Sequence, residues 1–315
     1  MAWTTTDLLA DVRRRAMLPT TATQGTTDAD LLSHADNEMA SRMVPLITSV
    51  NEEFYVQTID VPIVAGQAAY RIPNRSAGGK LRDASFILGA SQLNLARIEP
   101  EQLTQWIVNA AGTPAGFYLE AGTVNLIPTP SAGGTLRLKY YVRPGRLTAT
   151  ASNYGVITSV TYGSSNSVTL AFTGSLSPLN GSLFDVIAFR PPFEYLLADA
   201  VASGSSAGNV TLTISSPTSP PPNFSPNIAI GDYVCARDVS PILQMPVELH
   251  SLLAQRTVCA VMEAFNYSER LQAAESVYAR MEDAALRLLS PRVDGAPRKM
   301  RGVLATMGKY GMGFR

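Results

Sequence analysis

Charge is scarce in this sequence. Asp, Glu, Lys and Arg make up 16% of its 315 residues, where ~25% is usual for a soluble domain, so Ser, Thr, Asn, Gly and the main chain must supply the surface polarity. Such a surface suits permanent contact with other proteins. Lys+Arg and Asp+Glu are equal at 25 each, which excludes a whole-molecule field that would draw the chain onto nucleic acid or an acidic membrane. Cysteine is confined to Cys235 and Cys259 and histidine to His34 and His250, which excludes a disulfide-rich scaffold and a Cys₄ zinc site. No metal and no other cofactor is expected. No run approaches the ~18 consecutive apolar residues that span a bilayer, so no membrane contact is expected either. Asp7, Asp11 and Arg13-Arg14-Arg15 interrupt the region where a signal peptide would be apolar, and the expectation is folding in a cytoplasm.

What is present suffices for a core: apolar residues make up 46%, in a length worth roughly two domains of ~100–200 residues. Residues 6–16 read as a helix with Asp7 in its first turn and Pro19 stopping it. Thr27 and Asp30 form a capping box ahead of a second helix, which Pro45 should kink or split because it lacks one intrahelical N–H. From Phe54 the apolar period falls toward 2, and Gly66-Gln67 between 54–61 and 68–72 reads as the turn of a β hairpin. Segments 81–88 and 93–98 form a second strand pair, Pro100 opens a short helix through Trp106, and 117–120, 123–127 and 135–142 complete a meander.

Between 151 and 240 only Asp185, Arg190, Glu194, Asp199, Asp232, Arg237 and Asp238 are charged. Six strand-like runs, at 156–162, 167–172, 183–189, 194–202, 209–214 and 233–237, make this a self-contained all-β sandwich or barrel. The run 216–226, with Pro220-Pro221-Pro222, reads as an extended loop. Helix returns at Pro246 with Leu249, Leu252, Leu253, Cys259 and Met262 on one face. Asn266 is placed to cap a last helix whose Leu271, Ala274, Tyr278, Met281, Ala285 and Leu288 form a packing seam. The stretch 292–315 carries Arg292, Arg298, Lys299, Arg301, Lys309 and Arg315 against Asp294, interleaved with Val303, Leu304, Met307, Tyr310, Met312 and Phe314. A tail that merely solvates has little use for such side chains, and ordering on a partner accounts for both sets.

Chemistry is thin. Gly204-Ser205-Ser206-Ala207-Gly208 matches a nucleophile elbow, followed in hydrolase order by Asp232 or Asp238 and His250. That motif needs a strand before it and a helix after it, and here Asn209-Val210-Thr211-Leu212-Thr213 alternates as a strand, so Ser205-Ser206 reads as a hairpin tip. Gly78-Gly79-Lys80 lacks the first glycine of a phosphate loop, and Asp28 and Asp30 lack the later ligands of a calcium loop. No catalytic and no metal-ligating residue is assigned.

Two stretches carry a resemblance. One runs from Phe54-Tyr55-Val56-Gln57 through Gly66-Gln67-Ala68-Ala69-Tyr70-Arg71-Ile72-Pro73 to Gly79-Lys80-Leu81-Arg82-Asp83; the other from Pro114-Ala115-Gly116-Phe117-Tyr118-Leu119-Glu120 through Pro128-Thr129-Pro130 to Thr135-Leu136-Arg137-Leu138-Lys139-Tyr140-Tyr141-Val142-Arg143-Pro144. With the order of parts around them, they resemble the head-to-tail adaptor (connector, gatekeeper, tail tubular protein A) proteins of tailed bacteriophages. The resemblance implies a structural virion protein assembled in the host bacterial cytoplasm and located in the neck. There a homo-oligomeric ring of twelve copies would bind the portal ring, join it to a tail or nozzle protein, and continue the channel for genomic DNA without gripping it.

The expected fold is α+β: a helical bundle body with an antiparallel β meander, an inserted all-β domain and an extended C-terminal tail. The parts divide as 1–150 (N-terminal helices and meander), 151–240 (insertion), 241–290 (C-terminal helix pair) and 291–315 (portal-docking tail). Arg292, Arg298, Lys299, Arg301, Leu304, Met307, Tyr310 and Phe314 are the expected portal contacts. Two other classes of function compete: a serine hydrolase using Ser206 and His250, and a receptor- or carbohydrate-binding virion protein acting through 151–240.

Overall fold

The computed structural model describes residues 3–18, 27–105, 111–162, 167–176, 181–191, 193–206, 209–213 and 227–289. Helix α1 (Thr5–Ala16) opens on a capping box in which the Thr4 hydroxyl accepts from the Asp7 N–H and the Asp7 carboxylate accepts from Thr4 N. Helix α2 (Asp28–Glu38) has the same device in Thr27 and Asp30, as the sequence predicts. The expected disturbance at Pro45 takes the form of a π-helical turn, Met39–Met43, inserted before α3 (Val44–Val50), which starts with Pro45 in its first turn where no N–H is needed.

The meander folds into a sandwich. Strands β1 (Val56–Ile63), β2 (Ala69–Arg71), β3 (Ser76–Leu88), β4 (Ser91–Asn94), β5 (Ala96–Arg97), β6 (Ala111–Gly112), β7 (Gly116–Glu120), β8 (Thr123–Ile127), β9 (Thr129–Pro130) and β10 (Gly134–Val142) fall mainly into two four-stranded sheets, ordered β1-β10-β3-β4 and β2-β8-β7-β5. The inner faces bury Ile63, Phe86, Leu136 and Leu138 from the first sheet against Tyr70, Phe117, Val124 and Leu126 from the second. The outer face of the first sheet is polar, laced by the fork of Arg137 on Asp60 (2.8 Å twice) and by Lys139 on Asp83. The hairpin predicted for 54–72 is not formed. Its strands exist, and Gly66 does turn at φ 82°, but β1 pairs with β10 and β2 with β8, so the turn carries the chain from one layer to the other.

After β11 (Arg146–Leu147) come β12 (Tyr154–Tyr162), β13 (Ser167–Thr173), β14 (Leu183–Ile187), β15 (Tyr195–Ser206), β16 (Asn209–Thr213) and β17 (Tyr233–Ala236). They close into an antiparallel barrel in the order β12-β13-β16-β15-β14-β17, with β17 pairing back to β12. Ile157, Val168, Leu170, Phe184, Val186, Val210 and Val234 fill it. The entry and exit of the barrel lie side by side, because β18 (Val239–Ser240) pairs in parallel with β11.

Helix α4 (His250–Ala264) is buried on nearly every side, not on one face: Ala254, Arg256, Thr257, Val258 and Val261 are covered along with the predicted stripe. Helices α1, α2 and α5 (Ser268–Leu289) pack around it. This is a layer of helices on one core, and the expected helical bundle body is not present. More residues lie in strands than in helices, and the sandwich makes up much of the body. Asn266 does not cap α5. It adopts φ 57° and closes α4, its N–H donating to Glu263 O, as Asn does readily in the left-handed region.

Candidate functional site

Among the described residues, the densest polar cluster joins body and barrel. Arg75, just before β3, is 2% exposed and reaches into the barrel wall, where Asp185 of β14 is 0% exposed. Arg75 Nη2 lies 2.5 Å from Asp185 Oδ2 and 3.1 Å from Asp238 Oδ1, and its guanidinium stacks on the Tyr195 ring at 4.6 Å. The Asp185 carboxylate also accepts the main-chain N–H groups of Asp199 and Asp238. Burial pushes Asp185 up from the ordinary carboxylate range, against the pull of Arg75 and of those two N–H groups.

Gln244 completes the seam. Its Oε1 accepts from Gly145 N (2.8 Å) and from the Tyr195 hydroxyl (3.0 Å), and its main-chain O accepts from the Tyr55 hydroxyl (2.9 Å). Burial pushes the Tyr55 and Tyr195 hydroxyls up, so both stay neutral donors. Gly145 has no substitute here, since a Cβ would lie 2.9 Å from the Tyr195 hydroxyl and 3.0 Å from the Val239 carbonyl carbon. The barrel also supplies Ile187, Phe193, Tyr195, Tyr233 and Cys235 to the core built on the helices, so it is fused to the body along one end.

Beside this seam a groove of about 590 Å³ lies between α2 with its π-turn and the Arg143–Arg146 bend, lined by Asp36, Asn37, Arg143, Arg146 and Asp238. Asp36 Oδ1 accepts from Leu147 N at 2.7 Å, and burial pushes its carboxyl up to about 6. This bond ties α2 to the strand that enters the barrel.

The elements of the hydrolase pattern are not brought together. Ser206 ends β15 opposite Asn209 of β16, a strand-turn-strand setting. Asp232 accepts from Ala229 N and Phe189 N, and Asp238 pairs with Arg75 and Arg237. His250 is buried between the rings of Trp3 (5.8 Å) and Phe193 (6.1 Å), with Nε2 against Met245 O. Among the described residues no group of three His, Cys, Asp or Glu could hold a metal ion. The tail residues Arg292, Arg298, Lys299, Arg301, Leu304, Met307, Tyr310 and Phe314 lie outside the described residues. The sequence reading did not single out Arg75, Asp185 or Gln244. A signal existed for one: Asp185 interrupts Leu183-Phe184 and Val186-Ile187 in a segment almost without charge, which marks a buried acid needing a cation.

Residues 3–163, just over half of the chain, match the family described as SU10 adaptor protein. The chain belongs to this phage head-to-tail adaptor family. The match covers α1 to α3, the whole sandwich and the first barrel strand of the adaptor. No curated protein sequence matches the chain. A phage structural role, in the virion neck and alongside portal and tail proteins, follows from the family. No helix among the described residues is long and apolar enough to cross a membrane.

Proposed function

We propose that this adaptor forms a dodecameric ring beneath the portal ring, joins it to the tail or nozzle protein, and continues the channel through which DNA leaves during ejection. The observation that carries this reading is the family match over residues 3–163. Scarce and balanced charge fits a protein that lives in contact with others, and gives a conduit no grip on its cargo. We assign portal docking to 291–315: Arg292, Arg298, Lys299 and Arg301 steer the segment to an acidic groove, and Leu304, Met307, Tyr310 and Phe314 supply the apolar burial that holds it. Ordering glycine-flanked residues costs ~1–2 kcal/mol each in backbone entropy, so one copy binds modestly and a ring gains by effective concentration.

The test is a pull-down against the portal protein of the same genome, with the full chain and with a chain ending at Ser290. The full chain joins the portal and the shorter one, still folded, does not. If both join equally well, docking belongs to the body; if neither joins, the adaptor reading fails. Duplex DNA should bind the isolated protein only weakly and lose that binding as salt rises, which a salt titration by fluorescence anisotropy measures.

A further inference from the structure

Among the described residues the sheet β1-β10-β3-β4 ends on two edges with no further strand beside them, and register shows what each offers. Val142 N donates to Tyr55 O, and β1 continues that register against β10 through Val56↔Tyr141 and Ile59↔Leu138. In an antiparallel ladder the residues of one strand point their main-chain groups alternately toward and away from the partner. Gln57, Ile59 and Val61 therefore turn theirs to β10, while Thr58, Asp60 and Pro62 turn theirs outward. Pro62, which has no N–H to give, sits where an edge strand tolerates proline. On the opposite edge Leu95 N donates to Ala84 O, and β4 runs on as Leu93↔Phe86. By the same alternation Gln92 and Asn94 turn their main-chain groups outward.

Side chains follow the pleat. Ile59, Leu138, Ala84, Phe86 and Leu93 share the inner, apolar face. At the two edges this face is incomplete: Ile59 is 37% exposed and Leu93 44%, while Leu136 and Leu138 between them are 0% exposed.

These two edges fit each other. Through β10 and β3 the strands alternate in direction, so β4 runs antiparallel to β1, and a second copy set beside the first in the same orientation presents its β1 antiparallel to β4. Pairing Gln92 with Asp60 and Asn94 with Thr58 closes both sets of free main-chain groups at once. In that register Leu93 stands directly opposite Ile59 on the apolar face. A shift of two residues one way puts Pro62 where an N–H is required; two the other way puts Leu93 opposite Gln57, whose amide is already spent on Tyr195 O. No charge opposes a like charge across the seam, since β4 carries none.

Building on the ring reading above, we infer that copies of this chain join head to tail through their sheet edges, β4 of one against β1 of the next, with Leu93 packed on Ile59. The contact is heterologous, so it propagates from copy to copy and closes when the rotation returns on itself.

The test is a disulfide. A directly opposed pair of this kind has Cα atoms ~4.5 Å apart, within the ~4.4–6.8 Å that a disulfide spans. Native Cys235 and Cys259 are buried and their thiols are pushed up, so they stay silent. Full-length protein carrying Ile59→Cys and Leu93→Cys together is assembled with portal, mildly oxidised, and run on a non-reducing denaturing gel; rings are counted in parallel by native mass spectrometry. The expected result is a ladder of covalent multimers from the double variant and none from either single variant. Leu93→Lys should abolish rings and Leu93→Lys with Ile59→Glu should restore them. Rings without a ladder, or covalent dimers from a single variant, overturn the edge contact and leave the ring reading standing. Neither rings nor ladder with portal present overturns both.

Discussion

At Arg75 one side chain decides whether barrel and body can share a core. Removing it takes from the fully buried Asp185 its cation, so the carboxyl must take up a proton or stand unpaired, and Arg75→Met should lower unfolding stability by about 3–5 kcal/mol, read from urea denaturation. Adding Asp185→Asn should recover part of that loss, because the amide needs no counter-charge and its one oxygen still accepts from either Asp199 N or Asp238 N, which bond different oxygens of the carboxylate. Asp36 makes a pH prediction. Its carboxyl titrates near 6 in the fold and near ~3.9 in an unfolded chain, so between those values the native state holds more protons than the unfolded one. Its contribution is full below pH ~4 and is lost as pH rises through ~6. Asp36→Asn keeps an acceptor for Leu147 N and should flatten the change in denaturation midpoint over that window. Of these residues only Asp185 leaves a signal in the sequence, and nothing there names its partner. Arg75 and Asp185 are 110 residues apart, and no local pattern links a buried acid to a cation on another element.

At the scale of elements the sequence was more open. All six barrel strands stand where alternation and Gly punctuation put them, and the capping box expected at Thr27 and Asp30 forms. What alternation could not reveal was partnership. A period of two fixes which side chains share a face and says nothing of which strand lies alongside, so Gly66 looks like a hairpin turn in the sequence although it links two layers. The helix layer departs from expectation for a related reason: a 3.6-residue stripe marks a helix, but α4 is enclosed on nearly every side and its polar Gln255, Arg256 and Thr257 find partners in Ala274 O, Glu38 and Leu253 O. One strand position is tightly set. A Cβ at Gly155 in β12 would collide with the Phe172 ring inside the barrel, so Gly155→Ala should cost about 1–3 kcal/mol, checked by thermal denaturation.

For the whole molecule, fusion of the barrel to the body changes what deletion should do. The reading of 151–240 as self-contained suggests that a short linker could replace it. The structure draws Ile187, Phe193, Tyr195, Tyr233 and Cys235 from that stretch into the core of the helices, and Arg75 would lose Asp185 at the same time. Deletion should therefore give aggregated protein, measured as the soluble fraction on expression. The tail is a separate case, and the chain ending at Ser290 tests it. Ring closure and portal joining belong to different parts of the proposed assembly, and substitutions at the sheet edges and in the 291–315 segment should separate them.

The parallel pairing of β11 with β18 has a mechanical side. Arg146 N holds Asp238 O at 2.8 Å and Thr148 N holds Ser240 O at 3.0 Å, so the chain enters and leaves the barrel through one clamp. Tension along the backbone from the sandwich to α4 pulls these two strands past each other in shear, loading both bonds together instead of peeling them one at a time. The barrel then hangs outside the line of force. In the ring proposed above, strain would run from sheet to helix through each copy while the barrel keeps its shape.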